Sequence, residues 1–113
     1  MAVSAEYREF VLEQFARVAP VTHRGMFGGV GIYSDGLFFA LLDDDTTYLK
    51  VDDSNRGDFE AAGMGPFTPG GDPKMVMQYY ELPADVLEDA DALRPWVHKA
   101  IDVARAARRK KKR

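Results

Sequence analysis

Apolar and polar positions follow two rhythms along this chain, and the switch between them predicts the elements. Over residues 4–18, Tyr7, Phe10, Val11, Phe15 and Val18 recur at helical spacing, with Glu6, Arg8, Glu9, Glu13 and Arg17 largely outside that stripe. A helix is expected there, with Ser4 as its N-cap and Pro20 as its stop. The rhythm then shortens. Residues 21–26 read as a first strand, and 30–33, 37–42 and 46–51 as three more, rich in β-branched and aromatic residues. Asp35-Gly36 is a preferred pair for a tight hairpin, and Asp43-Asp44-Asp45 marks the next turn. The last three of these strands should form an antiparallel meander. Gly28, Gly29 and Gly31, at the start of the second strand, predict a bulge or a close backbone approach.

Beyond residue 51 the rhythm lengthens again. Asp52, Asp53 and Ser54 offer helix caps, Phe59 and Ala62 a small inward face, and Gly63 a left-handed stop. Residues 65–73 are a Gly/Pro-rich loop, with Phe67 expected on the core. Residues 74–82 read as a last strand carrying Met75, Val76, Met77, Tyr79 and Tyr80, ended by Pro83. A closing helix over residues 91–109 buries Leu93, Trp96, Val97, Ala100, Ile101 and Ala104, with Pro95 expected in its first turn. The order is helix, four strands, helix, strand, helix. That is an α+β chain: a two-layer antiparallel sheet with helices packed on it. Phe38, Phe39, Leu41 and Leu42 are too apolar for water, so the first and last helices should roof them.

The 113 residues suffice for one domain with one modest core. Cysteine is absent, which excludes disulfides, thiolate metal sites and cysteine nucleophiles. The start, Met1 to Glu6, holds no signal-peptide apolar stretch, and the longest apolar run is far short of the roughly 20 residues of a membrane helix. A cytoplasmic protein without membrane contact is expected. The net charge of −3 hides a split. Residues 105–113 hold seven basic and no acidic residues, and residues 1–104 a net −10. The chain therefore divides into a domain, 1–104, and a basic C-terminal tail, 105–113.

The search for chemistry yields no catalytic, cofactor or metal set. Residues 29–34, Gly-Val-Gly-Ile-Tyr-Ser, resemble a phosphate-binding fingerprint, which needs a helix after it; here a strand follows. Three adjacent aspartates at a turn do not converge on one cation. His23 and His98 are far apart in sequence with no ligand neighbours, and Ser4, Ser34 and Ser54 lack a nucleophile's setting. Tyr79 and Tyr80 alternate across their strand, so one should face the core and the other outward, where it could anchor a partner. The tail residues Arg105, Arg108, Arg109, Lys110, Lys111, Lys112 and Arg113 could contact phosphates without reading sequence. They could equally be a solubilising helix end, or dock on the chain's own acidic body.

Met26-Phe27-Gly28-Gly29-Val30-Gly31-Ile32-Tyr33 opens a longer set of residues. Asp35-Gly36, Phe39-Ala40, Tyr48-Leu49-Lys50-Val51, Asn55-Arg56, Phe59, Gly63, Pro66-Phe67, Tyr79-Tyr80, Pro83, Leu93 and Trp96 follow it. Together they resemble the N-terminal domain of the TfoX/Sxy family of competence regulators, over residues 6–104. The resemblance implies a two-layer fold similar to the secretion-chaperone type. It also implies an intracellular bacterial protein, non-enzymatic and linked to transcriptional regulation. Members of that family are thought to act with the cyclic-AMP receptor protein at competence promoters. They carry a second, helical domain, and here a basic tail stands in that place, as in a standalone single-domain member. The reading is of a regulatory module that binds a protein partner through Met26, Phe27, Gly28, Gly29, Tyr79 and Tyr80. Nucleic-acid contact through the tail is the alternative. An exposed edge strand would also permit a homodimer by strand addition or face packing.

Overall fold

The computed structural model describes residues 3–26, 28–68 and 78–111. Helix α1 (Ala5–Ala16) leads into strands β1 (Thr22–Met26), β2 (Gly29–Ser34), β3 (Leu37–Asp43) and β4 (Thr46–Lys50). Helix α2 (Arg56–Ala61), strand β5 (Tyr79–Glu81), a single turn α3 (Ala84–Leu87) and the long helix α4 (Ala90–Lys111) complete the chain. The five strands form one antiparallel sheet in sequence order, so the fold is α+β as expected. The expected strand at 74–82 is described only in its second half; Met75, Val76 and Met77 lie outside the described residues, as does Phe27.

The β2–β3 and β3–β4 hairpins each close in two residues with positive φ. Asp35 and Gly36 stand at 51° and 76°, Asp44 and Asp45 at 51° and 52°. This turn matches the twist of its strands, and aspartate tolerates the left-handed region better than most side chains. Asp45 also has a second task. One of its carboxylate oxygens accepts the Ser4 amide at 2.7 Å, pinning the start of α1 to the β3–β4 turn. Ser4 caps α1 as predicted, its hydroxyl accepting the Tyr7 amide at 3.1 Å.

The register slips between β2 and β3. Ile32 faces Ala40, but Tyr33 faces Phe38, so β3 carries one extra residue at Phe39. This is a β-bulge, and it reverses which face the following side chains take. Leu37, Phe39, Ala40 and Leu42 all join the core between sheet and helices, while Phe38 and Leu41 are left out of it. The helices therefore roof only part of the apolar set expected beneath them.

In the core, Phe15 of α1 meets Phe39 at 5.7 Å between ring centroids, and Phe59 of α2 meets Trp96 edge-on at 4.8 Å. Leu93, Val97, Ala100, Ile101 and Ala104 of α4 are buried as the spacing required, and Trp96 is half-buried. Phe10 is not buried: it is 41% exposed, and Gln14 takes an inward place on α1. At about 100° per residue, Phe10 falls on the flank of the stripe and Gln14 near its centre. The Gln14 amide donates to the Leu87 carbonyl at 2.9 Å, so its polar end is satisfied.

Two helix starts differ from expectation. α2 begins after Asn55, whose side chain does not cap it. Asn55 is 2% exposed; it accepts the Asp52 amide at 2.9 Å and donates to the Lys50 carbonyl at 3.0 Å. It thus stitches the end of β4 to the next turn. α4 starts before residue 91, capped by Asp89, which accepts the Asp91 amide at 3.0 Å. Pro95 consequently sits beyond the first turn, inside the helix. Pro95 and Asp91, whose carbonyl loses its usual donor, are both exposed, so water can replace the missing bond.

Glycines at the β2 start give a direct test. A Cβ on Gly29 would lie 2.3 Å from the Leu42 carbonyl oxygen, whereas one on Gly25 would meet nothing within 4 Å. Gly29→Ala should therefore destabilise by about 1–3 kcal/mol, and Gly25→Ala by less than about 0.5 kcal/mol. Urea unfolding of both variants checks this; equal midpoints would show that the close approach is not real. Asn55→Ala should cost about 1–3 kcal/mol by the same measurement, because it removes the partner of the part-buried Asp52 amide and Lys50 carbonyl.

Candidate partner-binding face

The sheet has two unlike faces. The described helices pack on one. The other carries side chains from every strand: Arg24 of β1, Tyr33 of β2, Phe38 and Leu41 of β3, Tyr48 and Lys50 of β4, and Tyr79 of β5. Cross-strand pairing sets them side by side, with Tyr33 opposite Phe38, Leu41 opposite Tyr48 and Lys50 opposite Tyr79.

The result is a row of rings between two cations. The Arg24 guanidinium lies 5.7 Å from the Tyr33 ring. Tyr33 stacks on Phe38 at 5.1 Å, and Phe38 meets Tyr79 at 5.4 Å. The Lys50 ammonium sits 5.1 Å from the Tyr79 ring. Such contacts favour a cation over the negative face of a ring. Further along, Phe67 packs on Tyr48 at 4.7 Å. Its amide donates to the Tyr79 carbonyl at 2.7 Å, extending the sheet past β5. Phe67 is thus held on this open face and not on the core under the helices.

Between Phe67 and the bulged strand lies a cavity of about 90 Å³, lined by Met26, Gly29, Val30, Phe38, Leu41, Leu42, Asp43 and Phe67. Met26 reaches it from the end of β1. Its methyl would lie 2.5 Å from a Cβ on Gly31, so the glycine there makes room for the thioether. Of the six residues expected to form a partner surface, Met26 and Gly29 line this cavity. Gly28, at φ 80°, turns the chain between them. Tyr79 lies elsewhere on the same face, only 3% exposed. Tyr80 points the other way, toward Phe59 at 6.0 Å. The tyrosine pair does alternate, but the core-facing partner is Tyr80, and Tyr79 is buried under the opposite face. Phe38, Leu41 and Phe67 also line the cavity and were not in the expected set.

The remaining candidates are scattered. His23 is exposed on β1, and His98 on α4 has Nε2 2.8 Å from the Val18 carbonyl oxygen. The Ser34 hydroxyl donates to the Pro20 carbonyl at 2.7 Å, and that of Ser54 to Asp52. Among the described residues no three His, Cys, Asp or Glu side chains gather as a metal site. No described helix is long and apolar enough to cross a membrane. The basic run is helical as far as Lys111, with Arg105 paired to Asp102 at 2.8 Å and Arg108 beside Gly36. Lys112 and Arg113 lie outside the described residues.

A sheet shielded by helices on one side, with an aromatic row and a small apolar cavity on the other, defines a two-layer α+β domain. The chain belongs to the TfoX N-terminal domain family, whose model matches residues 13–104. That family is one of regulatory, non-catalytic domains. The chain is also similar to the "Uncharacterized 12.7 kDa protein in trpE 5'region" of Spirochaeta aurantia. The two are 33% identical over 90 residues, which cover 80% of this chain and 73% of that protein.

Burial of Tyr79 has a consequence in alkali. Its phenol is raised well above the ordinary value of 10.0, by burial first and then by the nearby Tyr33. Tyr7 and Tyr48 are raised too, each mainly by burial. The folded state thus keeps protons that the unfolded chain releases. Their contribution is complete below about pH 10 and declines as pH climbs above it, by up to about 1.4 kcal/mol per pH unit for one group. Thermal melts across that range should show Tyr79→Phe with a shallower alkaline decline than the unsubstituted protein. A parallel decline would mean that Tyr79 ionises freely in the fold.

Proposed function

We propose that this chain is a cytoplasmic, non-enzymatic regulatory module that acts in transcriptional control by binding a protein partner through the face of its sheet opposite the described helices. The observation that carries this reading is the apolar cavity of Met26, Gly29, Phe38, Leu41 and Phe67, on a face over which no described helix lies. A small apolar pocket ringed by aromatic side chains is the usual seat of an interface's anchoring residue. Competence is one setting for such a module, by membership of its family. The partner's anchor is a single aliphatic or aromatic side chain, since about 90 Å³ admits little more.

The test compares cross-linked captures from a bacterial lysate by the unsubstituted protein and by Met26→Lys. Met26 is half-buried at a strand end, so the variant should fold, and its thermal melt verifies this. A transcription-associated protein should be enriched on the former and depleted at least about tenfold on the latter, as for loss of an anchor contact worth about 1.4 kcal/mol or more. Equal recovery of the same proteins on both would remove the face from consideration.

A further inference from the structure

Helix α4 joins two ends of the molecule that differ in charge. At its start are Asp89 and Asp91, and just before it α3 carries Asp85 and is followed by Glu88. The Leu82 amide donates to the Thr47 carbonyl at 2.9 Å, so α3 departs from the end of the sheet where Asp43, Asp44 and Asp45 turn. Ser4 is tied to that same turn, which brings Glu6 and the start of α1 to it. The far end of α4 lies over Gly36, Leu37 and Phe38, where β3 begins. A helix of 22 residues spans about 33 Å, most of the 39 Å length of the molecule.

That far end is cationic, and only part of its charge is paired within the protein. Arg105 pairs with Asp102, and Arg56 of α2 with Asp53. Arg108, Arg109 and Lys110 form no ion pair with any described residue. Two shallow grooves flank Ala107. One is lined by Leu37, Phe38, Lys50, Ala104 and Arg108. In the other, Lys50, Arg56 and Lys110 stand with Asp52 and Asp53. Asp52 is held by the Ser54 hydroxyl, which lowers its pKa most, with Lys110 a lesser cause. Asp35, on the turn beside Gly36, is another acid at this end of the sheet. The folded body thus adds Lys50 and Arg56 to the basic helix end.

We propose that this end, formed by Arg108, Arg109 and Lys110 with Lys50 beside them, is a contact surface for the phosphates of double-stranded nucleic acid, bound without reading its sequence. Successive residues on a helix point about 100° apart, so these cations surround the helix and do not lie in one plane. That arrangement suits the two phosphate walls of a groove. A flat lipid surface would call for large apolar side chains among the cations, and the helix offers Ala106 and Ala107. Arginine matches phosphate with paired hydrogen bonds.

The test is fluorescence anisotropy of a labelled, random-sequence DNA duplex with the whole chain, between about 50 mM and 200 mM salt. Binding should weaken with salt along a log–log slope of about −0.9 per phosphate engaged. Arg108→Glu with Arg109→Glu should lose at least about tenfold in affinity with an unchanged melting temperature, while Lys at both positions retains binding. Lys50→Gln should lower the slope by about one unit. Absence of binding at the lowest salt would overturn the proposal. So would unaltered affinity in the double reversal, or charge-dependent binding to anionic phospholipid vesicles without binding to the duplex. An unaltered slope in Lys50→Gln would remove the body's share.

Discussion

One extra residue in β3 decides what each side of the sheet can do. Without the bulge, strict alternation would carry Leu37, Phe39 and Leu41 to the helices and Phe38, Ala40 and Leu42 to the other side. The slip opposite Ile32 and Tyr33 sends Phe39 and Ala40 inward together. The small Ala40 is what allows two consecutive inward residues under α4. Leu42 then fills the core, and Phe38 and Leu41 pass to the open face, three residues apart and both apolar. The aromatic row and the cavity follow from that exchange: Phe38 is the middle ring of one and a wall of the other.

The glycines of β2 belong to the same constraint. Gly29 accepts the Leu42 carbonyl at a distance that no side chain tolerates, and Gly31 accepts the Met26 thioether. A strand with side chains at both places could not lie this close to β3, and Met26 could not fold back over the sheet. The phosphate-loop pattern that these glycines mimic is therefore a by-product of packing. They clear space for a methionine and a carbonyl, and no helix N-terminus follows them to receive an anion.

The elements were legible because each is written in local chemistry. Ser4 caps, Asp35-Gly36 turns, Gly63 follows the end of α2 with positive φ, and the buried stripe of α4 repeats over about three turns. Even the disturbance at Gly29 and Gly31 was readable as a close approach. The site was less so, because facing depends on parity, and a single slip in β3 inverts parity without any mark in its own residues. Leu41 reads as core and is 8% exposed, yet it is buried on the side away from the helices. Phe10 and Gln14 erred in the opposite sense. Residue type set the expectation there, and angular position on the helix set the outcome. Phe67 could not be placed at all, since a loop residue takes its face from the strand it pairs with, and that pairing is long-range.

The basic run illustrates how a charged segment changes meaning once the fold is known. As a tail it could fray, bind phosphate or lie down on the acidic body. As the last turns of α4 it is a continuation of the same helix that holds the core, with Val103 and Ala104 buried one turn before Arg108. Its cations are therefore presented by a rigid rod, and the helix dipole favours them there, at its negative pole. Lying down on the acids of the β3–β4 turn is denied to the helical portion, because α4 runs the length of the body and those acids are at the end where it starts. The two faces of the sheet differ by a bulge and the two ends of the molecule differ by a helix. The proposed partner face and the proposed polyanion site are therefore different surfaces of the molecule, with Lys50 at the margin of both.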